Sequence, residues 1–68
     1  MLINSILREE TYGTLRAEIH QETGGYRVTY IGPTGITMKS ENYNLSHDLK
    51  QVVEHAEVGL SSIRLLNE

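Results

Sequence analysis

Sixty-eight residues with a formal net charge of −3 and no cysteine narrow what this chain can be. A single domain of this size buries only about 60% of its unfolded surface, and without cysteine it has no disulfide staple, thiolate nucleophile or thiolate zinc ligand. Small unstapled folds rely on very regular packing or on a partner chain, so a homo-oligomer is the default expectation.

Trp and Phe are also absent, which leaves Tyr12, Tyr26, Tyr30 and Tyr43 as the only aromatic residues. The acidic balance argues against a general nucleic-acid binder. The sequence contains no basic run, no apolar segment near about 18 residues and no signal-peptide pattern. A soluble, cytoplasmic protein without membrane contact is therefore expected.

In chain order, residues 1–12 fit either a strand that bends at Gly13 or a short helix starting at Ser5. From residue 14 to 22 apolar Leu15, Ala17 and Ile19 alternate with Thr14, Arg16, Glu18 and His20, as in a half-buried strand. Gly24-Gly25 predicts a two-residue hairpin turn, because both positions accept positive φ. A second strand over 26–31 then pairs Ile19 with Tyr30 and Gln21 with Val28, with the apolar members on one face. In Gly32-Pro33-Thr34-Gly35, a three-residue loop from Pro33 to Gly35 suits a type I turn followed by a left-handed glycine. That loop sets Tyr30 opposite Met38 and Val28 opposite Ser40 in a third strand over 36–41, and it keeps Lys39 off the core face.

The stretch from Leu45 to Leu66 is the one long helical pattern. Ser46 is the expected N-cap, with Asn44 as the alternative and Asp48 in the first turn. Leu49, Val52, Ala56, Gly59, Ile63 and Leu66 form the inward stripe, which Leu45, Val53 and Leu60 widen. Gly59 costs roughly 1 kcal/mol relative to Ala in a helix interior, and such a glycine often admits a close neighbour. At about 100° per residue, Val58 and Leu65 fall on the opposite face. They are either scattered surface residues or a helix–helix contact between protomers, and the second reading is preferred.

Several tempting chemistries are set aside. Ser46-His47-Asp48 spells a hydrolase triad, but neighbours in one helical turn point about 100° apart and cannot relay a proton. His47 and His55 lack the i, i+4 spacing that puts two imidazoles on one ion, and His20 lies on the solvent face of a strand. Glu9-Glu10 and Glu54/Glu57 have no apolar bracket that would raise a carboxyl pKa. The glycines lack the Gly-Lys-Ser/Thr ending of a phosphate loop. No catalytic residue, metal or cofactor is expected.

The outer sheet face, with Arg16, Glu18, His20, Glu22, Arg27, Thr29, Ile31, Thr37, Lys39 and Glu41, is nearly balanced in charge. Glu22 is expected opposite Arg27, and Arg27 opposite Glu41. No aromatic residue there offers a stacking platform.

The Gly24-Gly25-Tyr26 hairpin, the Ser40-Glu41-Asn42-Tyr43 segment and Ala56-Glu57 together resemble small orphan proteins of marine cyanophages over residues 14–60. The resemblance implies a small auxiliary protein, with a host-directed role as one option, and carries over no site residues. The strand–strand–strand–helix order is also similar to single-helix, sheet-based DNA-binding folds, which is an analogy of fold alone.

The sequence therefore predicts one α+β domain: an antiparallel meander of three or four strands packed on one face by a C-terminal helix over 46–66. The expected core is Leu15, Ala17, Ile19, Tyr26, Val28, Tyr30, Ile36, Met38, Leu49, Val52, Val53, Ala56, Leu60 and Ile63. The expected function is a non-enzymatic, self-associating protein-interaction module, with room for a further protein partner. Its interface would comprise Leu2, Ile3, Ile6, Leu7, Val58, Gly59 and Leu65. The alternative is a nucleic-acid binder using Arg16, Arg27 and Lys39.

Overall fold

The computed structural model describes residues 1–11, 13–44 and 46–63. Four strands, β1 (Leu2–Glu10), β2 (Gly13–Glu22), β3 (Gly25–Ile31) and β4 (Thr37–Asn44), form an antiparallel meander in the order β1-β2-β3-β4. One helix, α1 (Leu49–Ser62), packs on the sheet, chiefly against β1, β2 and β3. The fold is α+β, and residues 2–10 resolve as a strand.

The core is the sum of two periodicities. Alternate residues Leu15, Ala17 and Ile19 of β2 and Val28 and Tyr30 of β3 meet Val52, Ala56 and Leu60 from one stripe of α1. Ile3, Ile6, Tyr26, Tyr43, Val53 and Ile63 close the margins. Ile36, Met38 and Leu49, expected inside, are instead 69%, 45% and 39% exposed. Leu45, Leu65 and Leu66, placed in the helix by its periodicity, lie outside the described residues.

Two strand registers differ from expectation. In the β2–β3 hairpin, Glu22 pairs with Gly25, so the loop is Thr23-Gly24, and Ile19 opposes Val28 and Ala17 opposes Tyr30. The shift is two residues, which preserves the faces. Gly25 is drawn into the strand because β4 crosses tightly over it. Its φ is +149°, and a Cβ there would stand 2.8 Å from Asn44 Cα. Only glycine fits that crossing.

The second hairpin begins as the spacing predicts. Gly35 donates to the Gly32 carbonyl at 3.0 Å, Gly32 donates to Ile36 at 2.9 Å, and Gly35 has φ +87°. Ile31 still opposes Thr37, but a bulge then shifts the ladder by one, so Tyr30 opposes Lys39 and Val28 opposes Glu41. A one-residue shift exchanges the faces. Lys39, Glu41 and Tyr43 turn to the helix side, and Ser40 and Asn42 turn to the outer face.

The reason lies in Tyr30, whose side chain is fully buried. A buried hydroxyl needs an acceptor. The bulge supplies Glu41, whereas the expected register would have offered Met38 and Ser40.

The helix starts at Asp48, not at Ser46 or Asn44. Asp48 Oδ1 accepts from Gln51 N at 2.9 Å, and Asp48 N donates to Gln51 Oε1 at 3.2 Å, which completes a capping box. Asn44 Oδ1 instead accepts from Ser46 N at 3.0 Å and so shapes the turn into the helix. At the far end the helix itself carries no basic residue in its last turn. Arg8 of β1 takes that role, its Nη1 donating to the carbonyls of Leu60 and Ile63 at 2.6 and 2.8 Å. A guanidinium there satisfies orphan carbonyls and lies at the negative end of the helix dipole.

Candidate interaction surfaces

Beneath α1, Gly59 leaves a notch for the Tyr30 ring. A Cβ at Gly59 would overlap the Tyr30 hydroxyl oxygen and lie 2.8 Å from Cζ. The glycine therefore serves contact within the chain, between helix and sheet. From the notch the Tyr30 hydroxyl reaches toward Glu41 Oε1 at 3.4 Å, and the Tyr43 hydroxyl donates to the same oxygen at 3.0 Å. Lys39 Nζ lies 3.6 Å from Glu41 Oε2 and 5.1 Å from the Tyr30 ring centroid. Cation–π and ionic attraction thus hold one ammonium over this ledge.

Burial, followed by the Glu41 charge, pushes the Tyr30 hydroxyl up to about 12 from its ordinary 10.0. Burial and the hydrogen bond to Glu41 raise Tyr43 as well. Both tyrosines are firm hydrogen-bond donors at neutral pH and poor general bases. His47 and His55 meet the Tyr43 ring edge-on, at centroid distances of 5.5 and 5.7 Å. His47 Nδ1 is buried with no hydrogen-bond partner among the described residues. No group of three or more His, Asp or Glu among those residues could hold a metal.

Among the described residues, the expected interface positions do not form one patch. Val58 is 70% exposed on the far face of α1, where it lines two shallow grooves with Glu57, Ser61 and Ser62 and with Glu54 and His55. Leu2 and Leu7 are exposed on β1, while Ile3 and Ile6 are half-buried and pack on the core. Gly59 is half-buried against Tyr30. Leu65 lies outside the described residues.

The expected nucleic-acid set is divided between the two faces. Arg16 Nε lies 3.6 Å from Glu18, and Arg27 forms an ion pair with Glu22. Arg27 stands opposite His20 and Asn42, not opposite Glu22 or Glu41, so Glu22 reaches it diagonally. Lys39 is on the helix side, opposite Tyr30.

Two features escaped the sequence pattern. Ile31, assigned to the solvent face by alternation, is only 8% exposed at the end of β3, beside Arg16 and Thr37. The paired tyrosine hydroxyls on Glu41 depend on the bulge, which has no signature in the sequence. Comparison with family models, with curated proteins and with solved structures finds no match. No described helix is long and apolar enough to cross a membrane.

Proposed function

We propose that this protein is a small non-enzymatic module that works by contacting protein, in the first place further copies of itself. The supporting observation is Val58, 70% exposed in an apolar dip of the helix face that the core does not use. Leu2 and Leu7 add exposed apolar surface on β1. Exposed apolar groups favour association because covering them releases about 25 cal/mol per Å². An auxiliary or regulatory role, phage-encoded as the resemblance implies, suits a module of this kind.

Sedimentation or light scattering over a micromolar range tests the proposal. The wild-type chain is expected to associate, and Val58→Glu together with Leu7→Glu to associate less. A monomer at every concentration sinks the proposal. Nucleic acid is disfavoured by the acids that hold Arg16 and Arg27 and by the position of Lys39. Fluorescence anisotropy at low salt with single- and double-stranded DNA and RNA is expected to show no binding. Salt-dependent binding would replace the protein-interaction reading.

A further inference from the structure

The sheet ends on two strands, and the helix serves them unequally. β1 is clasped to α1 through Arg8, whereas β4 meets α1 where the Tyr43 ring lies edge-on to His55. Among the described residues no strand lies beside the outer side of β4, which carries eight residues' worth of ladder. Such an edge is a template for another strand, and inward-pointing charges normally blunt it. Here the two charges, Lys39 and Glu41, have opposite sign and sit two residues apart on the same side. Their side chains are 49% and 39% exposed.

We infer that two copies of the chain pair antiparallel through β4 about a two-fold axis centred on Ser40, giving one continuous sheet across the dimer. This rests on the self-association proposed above but sets a seam on β4, apart from Val58 and Leu7, so the variants below test it separately from those two residues. A two-fold axis normal to the sheet keeps each face on its own side, so it must pass through a residue position and not between two. Centring on Lys39 sets that lysine against its own copy, and centring on Glu41 does the same for the acid. Centring on Ser40 sets Lys39 against the partner's Glu41, and Glu41 against the partner's Lys39. Asn42 then lies toward the partner's Met38, at the bulge where the regular pairing ends. Opposite charges directly across a strand pair attract, and like charges repel. Charge thus selects one register of the three, and both helices lie on the same side of the joined sheet.

The test uses reciprocal charge reversal and cysteine crosslinking on the full chain. Lys39→Glu alone puts Glu against Glu twice, and Glu41→Lys alone puts Lys against Lys twice. Each is expected to weaken self-association roughly 10- to 100-fold. Mixing the two variants, or combining both changes in one chain, restores complementary pairs and is expected to restore the dimer. Circular dichroism checks that the single variants fold.

The chain has no cysteine of its own, so a single introduced thiol reports cleanly. Residues directly opposite across an antiparallel pair have Cα atoms about 4.5–5.5 Å apart, within the roughly 4.4–6.8 Å a disulfide spans. Ser40→Cys is therefore expected to crosslink rapidly. Asn42→Cys, displaced about 13 Å from its copy, is expected not to.

A dimer unchanged by Lys39→Glu, with Ser40→Cys no faster than Asn42→Cys, overturns this seam and leaves self-association standing. A wild-type monomer overturns both, and a β4 edge that takes up only a segment of a different protein overturns the seam.

Discussion

The first and last strands of the sheet finish the same hydrogen-bond ladder in different ways. β1 is secured mainly by backbone acceptors, with one side-chain carboxylate beside them. Arg8 spans the Leu60 and Ile63 carbonyls and Glu10 at 2.8 Å or less, and Met1 exchanges two bonds with Gln21. β4 is secured by side-chain charge and aromatic rings, through Lys39, Glu41 and the two tyrosine hydroxyls. The contrast follows from size. Strands lie about 4.8 Å apart, so four of them span roughly 14 Å, whereas a helix is only about 10 Å across. One helix covers three strands, and the fourth must make other arrangements. In this chain those arrangements are polar.

Four experiments probe that contrast, the most damaging first. Gly59→Val closes the notch under α1 and displaces the fully buried Tyr30 ring, which joins the helix to the β4 ledge. Overpacking of this kind costs about 1–3 kcal/mol, with the upper end expected in urea unfolding, because the ring has no free space to move into. Arg8→Met should cost about 2 kcal/mol by releasing two helix carbonyls, and Arg8→Lys should recover part of this. An Arg8→Met chain as stable as wild type would mean that β1 is held by its ladder and apolar contacts alone.

The third experiment is alkaline titration. Tyr30 ionises near 10.0 when unfolded and at about 12 when folded. The folded state therefore keeps its proton while the unfolded chain loses it. That stability is fully present below pH 10 and is lost as pH rises toward about 12. Glu41→Gln removes the charge but not the burial that is the larger cause, so the drop should shrink without vanishing. A profile unchanged between pH 9 and about 12 would mean that Tyr30 is not sequestered. Smallest of all, Val58→Glu should change stability by less than about 0.5 kcal/mol, so any loss of association it causes belongs to the surface alone.

Much of the architecture was legible because it rests on periodicity. Leu15, Ala17 and Ile19 fix a strand face, and Val52, Ala56 and Leu60 fix a helix face, whatever the details between them. The turn at Pro33 to Gly35 was legible because proline and glycine each have one conformational reason to be there.

The misses have specific causes. Gly24-Gly25 offers two adjacent glycines, and sequence cannot show that β4 claims the second. Ser46 and Asp48 are both good caps, although the Asp48/Gln51 spacing of a capping box was present to be read. The bulge before Lys39 was hidden because a buried tyrosine hydroxyl outweighs the rule that a lysine avoids the core side; Met38 lost its core place with it, while Ile36, ahead of the bulge, is exposed at the hairpin end. For the surfaces, exposure at Val58, Leu2 and Leu7 was readable, but the separation of Lys39 from Arg16 and Arg27 was not. It depended on the same one-residue shift.

The Arg8 clasp has a consequence for the order of events in folding. Its two acceptors lie 52 and 55 residues further along a chain of 68. Closing so large a loop must precede the contact that rewards it, which slows folding relative to local structure. During synthesis the first strand leaves the ribosome long before its acceptors exist. The β2–β3 hairpin, closed by a two-residue loop, can form early, and the clasp can close only after the helix has emerged. A chain truncated before Leu60 should therefore collect as a partly zipped sheet with a frayed first strand, visible as rapid amide exchange confined to residues 2–10.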